Sequence, residues 1–409
     1  MTIKVCILVK HHPFMDARIF HKQAKSLVKK GYHVTLLVPK RNGFLYDIDL
    51  TPFRDKFLES SFMYEGVKII TYEDKTQPLN KMVTNMHSRT YKNFKEDPLV
   101  TLGIAQKADI YHAHELRSFY SGIGIKRALK ANGKETKLIY DSHEISPDPL
   151  EEKKEKKTRM HDLLLRMLKE VDHVITISEG IKTWYLIQNN KLPVEVIYNS
   201  PPFHENMNEK QFKKDKMVVC YEGIVHPNRG GMEEIIKITK RCSEKIPDFK
   251  FKIIGGLKRN QSLTIPSNLK NKIINTGWVD YHTLPQHYED VDLGWNHSNL
   301  QTTLKSMFAM PNKFFSYLNN GVPVLTNRSS DRENFIRKHH CGLVIDQLTP
   351  SADDYAEAIL YLHQRKSLLK QMSANARDAM EKFYSWEQME KKLFHVYDRL
   401  RTTGTHYLT

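Results

Sequence analysis

The chain has 409 residues, 40% of them hydrophobic and 27% charged, a globular composition with length for two or three domains. No apolar run approaches the roughly 18 residues that span a bilayer, which excludes a helical membrane protein. The formal charge of +16 suits an anionic partner. No nucleic-acid-binding motif accompanies that charge. The partners left are an anionic membrane, a nucleotide diphosphate or a lipid phosphate, beside the plain alternative of a solvated lysine-rich surface.

Residues 3–9 (IKVCILV) read as a buried strand. The chain opens directly on it, with no signal-peptide core before a small-residue cleavage site. Cys6, Cys220, Cys242 and Cys341 lie far apart without metal-ligand spacing and read as reduced thiols of a cytoplasmic protein. Phe20, Ala24, Leu27 and Val28 share one helix face, Gly31 stops that helix, and residues 33–38 form the next strand. This β-α-β unit predicts a parallel sheet. The intervening loop, KHHPFMDAR, lacks the glycines needed for close approach to a pyrophosphate, so this half is not expected to hold a nucleotide. Asp16 in that loop suits a helix N-cap. Residues 43–100 yield no readable elements.

Residues 109–115 (DIYHAHE) form a strand ending in a polar cluster, where ligands of open α/β sheets bind. His112 and His114 alternate and so point to one face. No third ligand follows at a telling spacing, so no metal is expected. Lys137–Tyr140 is another strand. After it, Asp141-Ser142-His143-Glu144 either lines a cleft or caps the next element. The charge run 151–159 leads into a helix carrying Leu163, Leu164, Leu165, Met167 and Leu168. Its apolar face packs on a core or lies on an anionic membrane. Strands at 174–177 and 194–198 close this half. Pro201, Pro202 and the polar stretch 204–216 read as a linker.

Residues 217–221 open a second α/β series. Glu222-Gly223, the turn 226–231 (HPNRGG) and a helix from Met232 make a strand, glycine-rich turn and helix, with Arg229 placed to fork onto an anion. Strands follow at 249–254, ending in Gly255-Gly256, at 273–279 and at 290–295. In residues 311–326 (PNKFFSYLNNGVPVLT), Pro311 suits a first helical turn and Phe314, Phe315 and Leu318 keep helical spacing. Asn319-Asn320-Gly321 stops that helix, and Val322, Val324 and Leu325 form a buried strand. Lys313 adds a full charge to the free N–H groups of the first turn. A turn at 327–331, a helix, the segment 341–346 (CGLVID), helices at 352–363 and 367–380, and a last helix to about 401 complete the chain.

The stretch 311–326 resembles a block of the family 4 glycosyltransferases of the GT-B fold, typically Pro-Asn-Lys-x-x-Glu-Tyr followed by Gly-x-Pro-Val. The resemblance implies an α/β GT-B protein: two Rossmann-like domains with parallel sheets facing across a cleft. Residues 1–200 would bind the acceptor and 201–382 the nucleotide sugar, with 383–409 crossing back to the first domain. It implies a retaining transfer of a sugar from a nucleotide diphosphate, UDP or GDP type, without metal or other cofactor. The acceptor would be a glycan, a lipid-linked or a small molecule, in surface polysaccharide or glycoconjugate synthesis, with peripheral contact at the inner membrane face and no nucleic acid.

By the same resemblance His114 hydrogen-bonds the transferred sugar or acceptor, with a purely structural histidine as the alternative. Asp16, Arg18, Glu115, His143 and Glu144 would line the acceptor side. Gly223, Arg229, Gly230, Gly256, Asn312, Lys313 and Ser316 would hold the donor. Trp278 and Val279 would face its base, Trp278 either stacking on it or standing at the rim. Three positions depart from the family. Ser316 replaces the Glu that holds the donor ribose, Phe308 replaces a second Glu, and Ile224 replaces a second basic residue on the phosphates. The departures keep a second class of function open, a GT-B protein that acts as a non-catalytic partner or binding module. A sugar-nucleotide epimerase of this fold finds no matching acid and His positions.

Overall fold

The computed structural model describes the chain apart from residues 1, 49, 76, 89, 151–153, 206–208, 227–229, 258–261, 281, 301–302 and 403–409. It divides into two compact units, Met1–Ile197 with Glu390–Thr409, and Tyr198–Met389. The resemblance implies divisions at 200/201 and 382/383. Among the described residues no helix is long and apolar enough to cross a membrane.

In the first unit, strand β1 (Lys4–Leu8) leads through a wide helical turn (Ile19–Ala24) into α1 (Lys25–Lys29) and then β2 (His33–Lys40). The uninformative stretch contains a hairpin, β3 (Ser61–Tyr64) and β4 (Val67–Glu73), whose turn residues Glu65 and Gly66 both hold positive φ. That is the two-residue turn whose twist suits antiparallel strands. Helices α2 (Leu79–His87) and α3 (Pro98–Gln106) follow, with Asp97 capping α3. Then come β5 (Ile110–His114), α4 (Glu115–Ala131), β6 (Lys137–Ser142), α5 (Lys154–Met167), β7 (His173–Thr176), α6 (Glu179–Gln188) and β8 (Val194–Val196).

The sheet order is β3-β4-β2-β1-β5-β6-β7-β8. Every pairing is parallel except the edge pair β3–β4. Strand order reverses between β1 and β5, the switch point where a crevice opens at the carboxyl ends of the strands. On α5, Leu163, Leu164 and Met167 are buried, as is Leu168 just after it. Its apolar face therefore belongs to the core, and the membrane-surface alternative for this helix is set aside. The final helix (Trp386–Thr402) returns the chain to this unit, burying Leu393, Val396 and Tyr397.

The second unit begins with β9 (Lys216–Ile224), α7 (Met232–Ser243), β10 (Asp248–Gly256), β11 (Ile273–Asn275) and β12 (Leu293–Asn296). After these come α8 (Leu304–Phe308), α9 (Asn312–Asn319), β13 (Val324–Asn327), α10 (Ser330–His339), β14 (Gly342–Ile345), α11 (Ala352–His363) and α12 (Lys366–Ala379). Its all-parallel sheet runs β11-β10-β9-β12-β13-β14, with the order reversing between β9 and β12. Alternate residues of β9 and β10 (Met217, Val219, Tyr221; Phe249, Phe251, Ile253) join α7 and α11 in one apolar core. Pro311 stands one residue before α9 as its cap, with ψ 152°, rather than inside the first turn. All four cysteines are free and buried.

Candidate functional site

Both switch points carry polar clusters. In the first unit the cluster grows from β1, β5 and β6. Strand pleating puts His112 and His114 on one side of β5, where their rings stack at 4.6 Å. Asp141, near the end of β6, is wholly buried beside them. Arg18 clamps it, with Nη2 at 2.9 and 3.0 Å from the two carboxylate oxygens and Nε at 3.2 Å. Gln23 donates to the same carboxylate at 2.7 Å. Burial alone would raise the Asp141 pKa, but the Arg18 charge and the surrounding imidazoles hold it well below the carboxylate range.

His114 is wholly buried, and its Nδ1 meets His143 Nε2 at 3.0 Å. Burial, then the charge of His112, pushes its pKa well below that of an ordinary imidazole. His143, with a side chain 15% exposed, stands between His114 and solvent. Its Nδ1 lies 3.5 Å from Glu115 Oε1, and its ring meets His12 edge-on at 4.9 Å. Burial lowers the His143 pKa to about 3 and raises that of Glu115 to about 8. Glu115 is therefore largely protonated at neutral pH and can donate a hydrogen bond. It sits at the junction of β5 and α4 with φ 68°, a left-handed conformation that costs a non-glycine residue about 1–3 kcal/mol. His12 Nδ1 lies 3.1 Å from Asp16 Oδ2, and Asp16 Oδ1 accepts from the Arg18 and Ile19 N–H groups. Burial alone would lower the His12 pKa, but the Asp16 hydrogen bond and charge raise it.

These contacts revise several expectations. The cap residue of the helical turn is Arg18 rather than Asp16, whose side chain accepts from the N–H groups at the start of the turn and orients His12. Arg18, expected on the acceptor side, is 1% exposed; Nη1 donates to Ile197 O at 2.8 Å while Nε and Nη2 serve Asp141. It is an internal clamp. His114 lies behind His143 rather than at the surface, and its Nε2 has no hydrogen-bond partner among the described residues. Glu144 is exposed at the rim. His12 was missed, although its i, i+4 spacing to Asp16 was a usable signal.

The expectation of no metal rested on a missing third ligand, yet the fold brings a third ligand in from a distant part of the chain. His12, Glu115 and His143, and also His112, His114 and Asp141, bring ligand atoms within 4.8 Å of one another. In the second set Arg18 and Gln23 already occupy Asp141. The first set, two imidazoles and a carboxylate, has donors that suit a first-row divalent ion.

In the second unit the cluster gathers where β9 ends beside α9. Gly223 has φ 106°, and a Cβ there would lie 4.0 Å from Lys313 Nζ. The ammonium of Lys313 stands 3.5 Å over the Tyr221 ring. The next strand comes closer still, since a Cβ on Gly255 would lie 2.4 Å from Gly223 O. Tyr317 reaches from α9 under the sheet, its hydroxyl 2.9 Å from Glu222 N and within 3.3 Å of the Cys220 and Trp295 carbonyls. Ser316 donates back to Asn312 O at 3.2 Å, and Asn312 Oδ1 accepts from Asn199 at 2.8 Å.

Gly230 packs on Trp295 and Tyr221, and Gly256 ends β10. Trp278 is 46% exposed, with Nε1 donating to Leu257 O at 3.2 Å; Val279 beside it is half-buried. Arg229 lies outside the described residues. The sequence reading passed over Glu222 and Tyr288, which are joined by a hydrogen bond from the tyrosine hydroxyl to the carboxylate.

Two family models match the chain, one described as Glycosyltransferase Family 4 over residues 17–201 and one as Glycosyl transferases group 1 over residues 216–365. Among curated proteins, the putative glycosyltransferase YtcC of Bacillus subtilis (strain 168) is 22% identical over 266 residues. That alignment covers 58% of this chain and 62% of YtcC, so the chain spans less than two thirds of that relative. Among solved structures, the sucrose-phosphate synthase of Thermosynechococcus elongatus superposes with a TM-score of 0.68 at 13% identity, covering 98% of this chain and all of that one. Anabaena HepE in complex with UDP-glucose gives 0.64 at 14% identity, covering 97% and 100%. At these identities the likeness to solved structures is one of fold.

Proposed function

We propose that this chain, which belongs to the family 4 glycosyltransferases of the GT-B fold, transfers a sugar from a nucleotide-diphosphate donor of the UDP or GDP type to a hydroxyl acceptor. The observation that carries this reading is Lys313, whose ammonium stands over the bare backbone of Gly223 at the sheet's switch point. A diphosphate placed there meets the charge of Lys313 and the free N–H groups at the start of α9. Both oppose the negative charge that develops on the departing diphosphate, and such preorganised electrostatics are the main catalytic term in a transfer of this kind.

The first unit takes the acceptor side. His143 and Glu115 are its partly exposed polar groups, and His114 acts on them from behind as a positioning residue. Glu115, protonated, donates to an oxygen of the transferred sugar or acceptor. Retention at the anomeric carbon follows the family resemblance, with the acceptor proton passing late to the leaving phosphate. So do a lipid-linked or glycan acceptor, a role in surface polysaccharide or glycoconjugate synthesis, and the absence of a metal requirement. A second reading, a donor-binding module without transfer, draws on Ser316 and Phe308, which leave α8 and α9 without a carboxylate at either family position.

Thermal unfolding with UDP, GDP, ADP, CDP and their sugar conjugates tests the donor site. A ligand at ~100 times its Kd stabilises the fold by about 2.7 kcal/mol. One nucleotide is expected to shift the transition, and Lys313→Ala is expected to abolish the shift. Hydrolysis or transfer of the matching conjugate then separates enzyme from binding module. No shift with any nucleotide at millimolar concentration would overturn the proposal.

A further inference from the structure

We infer that Glu222 is the carboxylate of the donor pocket, accepting hydrogen bonds from a vicinal diol of the nucleotide sugar. The inference rests on the donor reading of the second unit. Glu222 precedes Gly223 on β9, and its position is fixed from three directions. Its N–H donates to the Tyr317 hydroxyl at 2.9 Å. Its carboxylate accepts from the Tyr288 hydroxyl, with Lys313 close enough to draw its charge. Lys313 and Ser316 lie three residues apart on α9 and so share a face. The strand thus delivers a carboxylate to the spot where the helix offers only a hydroxyl.

Charge decides what that carboxylate can meet. Beside a lysine and a helix N-terminus that attract phosphate, a carboxylate repels phosphate oxygens and must face neutral donors. A carboxylate offers about four lone-pair sites. Tyr288 uses one, which leaves enough for a pair of adjacent hydroxyls. Both the ribose and the transferred sugar carry such a pair. Burial raises the Glu222 pKa, and the Tyr288 hydrogen bond and the Lys313 charge offset only part of that rise.

The test is calorimetric titration of UDP and GDP, their sugar conjugates and their 2′,3′-dideoxy analogues into the full chain. For whichever nucleotide binds, Glu222→Gln is expected to weaken the ribonucleotide about tenfold or more, the loss of charged hydrogen bonds. It should leave affinity for the dideoxy analogue unchanged. A loss confined to the sugar conjugate would assign the diol to the sugar rather than the ribose. Ser316→Glu should restore affinity in the Glu222→Gln chain yet weaken it in the wild-type chain, where two carboxylates would crowd one spot. That sign reversal also serves if Glu222→Gln alone folds poorly. Unchanged affinity of Glu222→Gln for both the free nucleotide and its sugar conjugate, equal loss for the free natural and free dideoxy nucleotides, or tighter binding in Ser316→Glu alone would each overturn the inference and leave the donor site standing. Failure of every nucleotide and conjugate to bind the wild-type chain would instead remove the donor reading, and this inference with it.

Discussion

Arg18 and Asp141 show how much a single pair can govern. Both side chains are almost wholly buried, 2% and 0% exposed. Removing one partner of such a pair leaves the other charge buried and uncompensated, a loss of about 3–5 kcal/mol. Arg18→Ala is expected to destabilise the first unit by that order in urea unfolding, and to free Asp141 to change the titration of His114. Glu115 makes a prediction in pH. Its folded pKa of about 8 lies above its ordinary 4.5, so the folded state binds the extra proton between those values. Its stabilising contribution is full below about 4.5 and is lost as pH rises towards 8. His143 works oppositely, since its lowered pKa removes stability as pH falls from 6.5 towards 3. Between pH 6.5 and 8 only Glu115 of the two contributes a slope. Glu115→Gln should flatten the pH dependence of unfolding there, by up to about 1.4 kcal/mol per pH unit. Unfolding curves with the same slope in both proteins would refute it.

Among the elements, α9 is fixed by its tightest neighbour. A Cβ on Gly294 of β12 would lie 2.4 Å from Tyr317 Cδ2 and 2.5 Å from Cγ, and the Tyr317 ring has no exposed side to retreat to. Gly294→Ala is expected to cost about 1–3 kcal/mol of overpacking. It should also weaken nucleotide binding, because Tyr317 holds the Glu222 backbone. Urea unfolding and nucleotide titration of the variant check the two effects.

The same helix was easy to read in the sequence, since its phenylalanine spacing and its Asn-Asn-Gly stop are local signals. The parallel strands were legible for the same reason, as short apolar runs bounded by glycines. The hairpin β3–β4 was not. Its strands are four and seven residues long, its alternation is weak, and its stability comes from rings such as Phe14, Phe57 and Phe62 that meet only in the fold. The sites divided likewise. Lys313, His114 and His143 sit in recognisable motifs. Arg18 sits in one too, yet its partner is 123 residues away, and no spacing reveals that it faces inward. Tyr288 meets Glu222 across 66 residues, and the third member of each histidine set comes from a distant part of the chain.

For the whole molecule, the first unit is discontinuous in sequence. Leu393, Val396 and Tyr397 complete its interior, and the Tyr397 hydroxyl meets His112 Nδ1 at 2.9 Å. A chain ending at Met389 should therefore lose the first unit's cooperative unfolding and expose apolar surface to a hydrophobic dye, while the second unit keeps its own nucleotide-dependent shift. Retention of both transitions in the truncated chain would refute this.

The discontinuity also sets a timetable. On the ribosome, residues 1–197 emerge first but lack the three side chains that close their interior. The roughly 190 residues of the second unit must be made before those side chains appear, which at about 5–20 residues per second is a wait of ~10–40 s. The histidine cluster at His112 is thus the last part of the protein to be sealed, although its residues are among the early ones to be synthesised. A nascent chain stalled near residue 390 would present that cluster open to passing chaperones and proteases, and release of the final helix would hide it.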